Sequence, residues 1–279
     1  MDEVEIIQLP AKRRSLDQGT GLRFLVIVYL TTLVILPILV ILWDGLREGL
    51  GEFWHQISLP IAWHALKLTF WTAAVMVVVN VIMGTLIAYV LVRYDFFGKR
   101  LLNAVIDLPL AIPTLVTGVM LVILYGPQEI LGAWLKSSLG LSIIFAPPGI
   151  ILALLFTTLP FVVRSVQPVL HNLDRVQEDA AATLGASRWT IFTRIILPAL
   201  LPAILSGALL SFSRAIGEFG SVVIVAGNIP LYSQTAAVYV FGEVESENRL
   251  GASAVSLVLI LVSFSLMLVV NRLQKAMRK

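Results

Sequence analysis

The sequence contains no cysteine. That excludes a disulfide framework and any cysteine-ligated metal or redox centre. Charge is also scarce. Asp, Glu, Lys and Arg make up 13% of the 279 residues, against about 25% in soluble chains. Hydrophobic residues make up 58%, and mean hydropathy is +0.92. Such a chain needs lipid over most of its surface. Catalytic signatures are missing too: there is no His-Glu-x-x-His, no Gly-x-Ser-x-Gly and no glycine-rich loop followed by Lys-Ser or Lys-Thr. The three histidines, His55, His64 and His171, lie in or beside separate polar segments and form no ligand set. The chain is expected to be no enzyme, to hydrolyse no ATP itself, and to carry no metal or cofactor. Its net charge of +3 gives no reason to expect nucleic acid; the distribution of that charge is more informative.

What is abundant is long apolar sequence. Charge-free or nearly charge-free stretches run from Phe24 to Leu42, Leu68 to Val92, Leu108 to Gln128, Gly149 to Val163, about Ala199 to Val225, and Leu250 to Asn271. A helix crossing the hydrocarbon core needs about 20 such residues. The fold expected is all-α: a polytopic membrane protein with six transmembrane helices. Residues 1–21 form a polar tail carrying Lys12, Arg13 and Arg14. Residues 22–59 hold the first helix and an outer loop, 60–272 the transmembrane core, and 273–279 a short basic tail. Six spans put both termini on one side. Of the 20 Lys and Arg, fifteen fall in segments on that side and four on the other, with Arg214 inside a span. The positive-inside rule makes the crowded side, and so both termini, cytoplasmic.

The longest mixed polar segment, Asp174 to Pro198, then faces the cytoplasm. Asp174 followed three residues later by Gln177 is a helix-start signal. Ala180, Ala181, Ala182 and Leu184 favour helix, and Gly185 permits a turn that a Cβ would resist. A second short helix from Trp189 to Ile196 is expected to end at Pro198. Trp189, Phe192, Ile195 and Ile196 share one apolar arc of about 120°. The plainer reading of such a segment is an amphipathic helix lying on the membrane surface. The outer loops hold Glu48, Glu52, Trp54, Trp134, Glu243, Glu245 and Glu247. They are either a docking surface for an extracytoplasmic protein or solvated connectors.

Two spans are irregular. Pro109 and Pro113 break the third near its start, either as an entry kink or as the lining of a path. The fifth carries Arg214, Gly217, Glu218 and Gly220. Arg214 and Glu218 are four apart and can pair on one helix face. Charges at membrane depth face a bundle interior or a cavity. The pair is therefore either a pore or gate element for an anion or a salt bridge that staples the bundle.

Asp179-Ala180-Ala181, Gly185, Ile195 and Leu197-Pro198 have the spacing of the EAA loop, and so the chain resembles permease subunits of ATP-binding-cassette importers. Asp179, preceded by Glu178, replaces that loop's usual first Glu. Further stretches resemble the sulfate/thiosulfate importer permeases, their T-type subunit in particular: Arg93-Tyr94 with Phe97-Gly98-Lys99, Asp107-Leu-Pro, Ala111 to Thr114, Pro160 to Leu170, Thr183 to Trp189, and Ser211 to Gly220 with Ala226-Gly-Asn-Ile229. The resemblance implies a type I importer permease fold in a bacterial plasma (inner) membrane or a plastid envelope. It implies a W-type permease as heterodimer partner, two copies of an ATPase holding the ATP and Mg, and an extracytoplasmic sulfate-binding protein. It also makes Glu178, Asp179, Ala180, Ala181, Gly185, Ile195, Leu197 and Pro198 the ATPase-coupling loop. A molybdate or tungstate permease is the near alternative. An ion-coupled secondary anion transporter is the distant one, since Glu218 is the one carboxylate expected inside a span.

Overall fold

In hydrocarbon a backbone finds hydrogen-bond partners only within itself or in neighbouring protein, so a helical chain is the physical expectation. The structure, a computed structural model, describes residues 16–277, with side chains from Thr20 to Lys275. Among these residues the elements are α1 (Thr20–Leu46), α2 (Leu50–Ser58), α3 (Pro60–Arg93), α4 (Lys99–Ala111), α5 (Thr114–Tyr125), α6 (Ile130–Leu139), α7 (Pro147–Asn172), α8 (Arg175–Thr183), α9 (Arg188–Ile216), α10 (Gly220–Ala226), α11 (Ala236–Glu245) and α12 (Arg249–Met277). Five of them, α1, α3, α7, α9 and α12, are long and apolar enough to cross a membrane, and α4 with α5 makes a sixth, bent span. The expected basic tails, with Lys12, Arg13, Arg14, Arg278 and Lys279, lie outside the described residues.

The spans are irregular in three places, each at a proline or glycine, and the last two depart from expectation. The third is no simple helix: α4 and α5 meet at 110°. Pro113 forces Ile112 into an extended conformation (φ −79°, ψ 129°) and ends α4 there. The fifth does not run through to Val225. It stops at Ile216, and a separate α10 begins at Gly220. Nor does Pro198 end a helix at Ile196. α9 passes through it by way of a π-helical turn at Phe192–Ile196, with the Leu197 N–H bonded to Phe192 O. The same device precedes Pro37 in α1, where the turn Thr31–Ile35 ends with the Leu36 N–H on Thr31 O. A proline ring clashes with the carbonyl four residues back, and shifting to i→i+5 bonding just before it opens room.

α7 is the central post. It packs most extensively against α3 and α9, and also touches α4, α5 and α10. Glycines set the closeness. A Cβ on Gly84 of α3 would lie 2.9 Å from the Val162 Cβ, and one on Gly207 of α9 would lie 2.9 Å from the Val162 Cα. Small residues at such contacts let backbones approach in lipid, where dispersion rather than hydrophobicity drives association. Ala88, Leu91, Val163, Val166, Leu170 and Ile196 fill one end of this core. Ile57, Ala62, Leu66, Tyr239 and Val255 fill the other. Between them Asn80 Nδ2 donates to Thr158 Oγ1 at 2.9 Å, joining α3 to α7. α12 packs on α9, and the second half of α1 packs on α12, where the Ser253 hydroxyl donates to Asp44 at 3.0 Å. The end of α1 meets the start of α12, and the start of α12 meets the start of α3 through Ala62 and Val255. The described ends at Thr20 and Lys275 therefore lie at the same end of the bundle as α8.

Gly207→Leu is expected to lower the thermal midpoint of the detergent-solubilised protein, because overpacking costs about 1–3 kcal/mol. Gly51→Leu, where a Cβ meets nothing within 4 Å, should leave that midpoint unchanged in the same fluorescence-monitored melt.

Candidate functional site

α8 is a self-contained unit. The Val176 N–H donates to the Asp174 carboxylate at 2.9 Å, as the sequence predicts, whereas Gln177 makes no return bond. The helix closes in a Schellman motif: the Ala186 N–H donates to Ala181 O and the Gly185 N–H to Ala182 O, both at 3.0 Å. Gly185 sits at φ +84°, with nothing within 4 Å of a built Cβ. Its requirement for glycine is thus conformational rather than steric. Ser187 caps the next helix, accepting from the Thr190 N–H at 3.2 Å. Trp189 stacks on Phe192, which meets Tyr89 edge-on, each at 5.9 Å between ring centroids. The expected apolar arc divides. Ile196 is buried in the core, Phe192 and Ile195 are half-buried, and Trp189 is 73% exposed. With Leu184 at 88% and Val176 at 67%, it gives the loop an apolar outer surface. Pro198 is exposed, and Leu197 half-buried.

Glu178 and Asp179 point to different surroundings. Glu178 turns inward and pairs with Arg93 at the end of α3; their side chains are only 18% and 9% exposed. Asp179, with Ala180, stays exposed. The inward turn of Glu178 makes it an anchor, holding α8 to the bundle. A cleft of about 400 Å³ opens beside this pair, lined by Tyr89, Tyr94, Arg175, Asp179 and Arg188 among others. A second clamp joins α4 to α7. Arg164 Nε donates to Asp107 Oδ1 at 2.8 Å, and its Nη2 reaches Asp107 Oδ2 and the Asn103 carbonyl. Its Nη1 reaches Asn103 Oδ1 and Gln167 Oε1. All five guanidinium N–H groups have an acceptor.

The irregular parts of the third and fifth spans meet. A Cβ on Gly220 would overlap Thr114 Oγ1, one residue beyond Pro113. One on Gly118 would lie 2.8 Å from the Ser221 carbonyl oxygen. α5 and α10 are therefore two half-helices packed backbone to backbone. Across the gap before α10, Arg214 Nη1 lies 2.7 Å from Glu218 Oε2, while Glu218 Oε1 accepts from the Ser221 N–H at 3.0 Å and its hydroxyl at 2.9 Å. Pro109 is buried within α4.

A sequence profile described as "Binding-protein-dependent transport system inner membrane component" matches residues 80–279. The chain belongs to that family. It is 43% identical over 255 residues to "Probable sulfate transport system permease protein cysT" of Nephroselmis olivacea, covering 91% of this chain and 89% of the relative. It is 42% identical over 249 residues to "Sulfate transport system permease protein CysT" of Synechocystis sp., covering 89% and 87%. Its fold matches a chain of a bacterial ABC transporter involved in the import of the acidic polysaccharide alginate, with TM-score 0.74 at 16% identity, over 94% of this chain and 96% of the other. As a member of this transport-permease family the chain is a multi-pass membrane protein, all helical among the described residues, with the fold of ABC permeases.

Asn103 and Ser221 were not singled out by pattern, and Arg93, Asp107, Thr114 and Arg164 lie in stretches that carry the family resemblance but had no site role read into them. Partners 57, 61 and 85 positions apart leave no spacing signal. Arg164→Lys keeps the charge but not the five-donor fork. It is expected to cost about 1–2 kcal/mol, measured as a lower midpoint in the same melt, with Asp107→Asn falling alongside it and the double variant adding less than the sum.

Proposed function

We propose that this chain is the membrane-spanning permease subunit of an ATP-driven sulfate importer. The observation that carries the reading is α8: a capped, glycine-terminated helix anchored inward by Glu178, with Asp179, Ala180, Leu184 and Trp189 left facing outward. A segment so firmly held yet so apolar outside suits contact with another subunit. A separate ATPase, present in two copies and holding ATP and Mg, would bind there. Ala181, Gly185, Ile195, Leu197 and Pro198 shape the contact and its join to α9. ATP-driven closure would push on α8, and the Arg93–Glu178 pair would pass the displacement to α3 as rigid-body motion. The clustering of basic residues at the α8 end supports placing that end, and both termini, in the cytoplasm. Tetrahedral dianions of the sulfate class follow from the sulfate permeases among the relatives. The W-type permease partner, the extracytoplasmic binding protein at the α2 and α11 end, and a bacterial plasma membrane or plastid envelope complete the proposal. The junction of Pro113, Gly217 and Gly220, with Pro109 behind it, would form the gate.

Replacing Gly185 tests the coupling. Leucine in a left-handed conformation costs about 1–2 kcal/mol, so Gly185→Leu should cut radiolabelled sulfate uptake by cells at least severalfold while membrane insertion stays normal. Gly185→Asn, which tolerates that conformation, should retain most uptake. Full uptake by Gly185→Leu would remove the coupling role. Competition of the same uptake by unlabelled thiosulfate and molybdate orders the substrates, and stronger competition by molybdate than by sulfate would overturn the sulfate assignment.

A further inference from the structure

The Arg214–Glu218 pair is unequal, and the inequality has a functional meaning. Glu218 is closed: its side chain is 1% exposed, and its two oxygens take Arg214, the Ser221 N–H and the Ser221 hydroxyl. Arg214 is open. Its side chain is 38% exposed, and the single Nη1 contact is its only ion pair. The remaining guanidinium N–H groups have no acceptor among the described residues. A bundle staple is expected to saturate both partners, as the α4–α7 contact does for Arg164, whose side chain is 32% exposed yet has an acceptor for every guanidinium N–H. Hydrocarbon offers nothing to the unused N–H groups, so this face of Arg214 must meet water, an anion or an acceptor of the proposed partner permease.

The backbone keeps that face clear. Gly217, three residues on, is exposed, and a Cβ there would find nothing nearer than the Arg214 carbonyl at 4.0 Å. Meanwhile Phe219 packs against Phe241 at 5.1 Å between centroids. The charge of Glu218 is divided between Arg214 and the first turn of α10, which leaves the guanidinium less than fully neutralised. A planar fork with free donors matches the oxygens of a tetrahedral oxyanion better than an ammonium does.

We infer that Arg214 meets the transported oxyanion inside the membrane and that Glu218 is the positioning residue that fixes its orientation. The inference rests on the proposed importer function and assigns the residue that the cargo touches. Glu218 acts through Arg214 and stays out of the cargo's reach.

The test uses the complete transporter, with partner permease, ATPase and binding protein, in proteoliposomes. Sulfate imported per ATP hydrolysed is the readout, because a structural defect would lower import and hydrolysis together. Arg214→Lys should lower that ratio about tenfold, since it keeps the charge and loses the fork, with binding-protein-stimulated hydrolysis within about twofold of wild type. Glu218→Gln should lower the ratio as well, and Glu218→Asp should restore part of it. Because the chain has no cysteine, Arg214→Cys places its single thiol at the proposed contact. A membrane-impermeant anionic thiosulfonate should label it, as read by mass spectrometry of this chain, and sulfate should slow the labelling. An unchanged ratio in Arg214→Lys, or a thiol that no aqueous reagent reaches with or without ATP, would overturn the inference. A wild-type complex that imports no sulfate would strike the importer assignment instead, and the labelling experiment would still decide whether Arg214 faces an aqueous path.

Discussion

Three helices meet at Val162, and the contact is possible because two facing residues have no side chain. Gly84 and Gly207 bring α3 and α9 onto α7 at distances that a Cβ would forbid. Much else depends on this approach. It places the end of α3 where Arg93 can reach Glu178, and it holds α9 at a depth where Ala215 and Ile216 join the core beside Met76 and Ile150. In a soluble protein the hydrophobic effect would pull such helices together. In lipid that force is absent, and tight packing with a few interior hydrogen bonds, such as Asn80 to Thr158, does the work.

The two broken spans solve one problem jointly. Each break frees backbone groups at a depth where solvent is scarce. Gly220 lies against Thr114 and Gly118 against Ser221, so each half-helix covers the break of the other. Glu218 serves the same end, receiving the N–H and hydroxyl of Ser221 where α10 has no preceding turn to use. Two irregular segments at separate depths would each have required their own polar lining.

Much of the architecture was legible in the sequence because its signals are local. Charge-free runs mark the spans, basic residues gather at one end, and Asp174 and Gly185 carry cap and turn chemistry within a few residues. The two departures from expectation, and the one choice that the sequence left open, share a cause. Pro198 does not stop α9 because a π-helical turn can absorb a proline, and nothing in the sequence separates absorption from termination. Ile216 ends its helix because Gly217 and the Glu218–Ser221 bonds compete with helix, and Pro113 makes a 110° corner rather than a kink. The inward turn of Glu178 was hidden for another reason. Its partner Arg93 belongs to a different helix, and adjacency in sequence had grouped Glu178 with Asp179.

That last pair has a wider implication. Neighbouring residues on a helix point about 100° apart, so one short element presents one acid to its own bundle and the next to whatever lies outside. The two duties can then drift separately. Under the proposed coupling, a change at Asp179 would alter which partner the surface accepts and leave the helix seated, whereas a change at Glu178 would loosen the seat and leave the outward surface chemically the same. Partner recognition and mechanical attachment would then be independently adjustable within a single peptide bond.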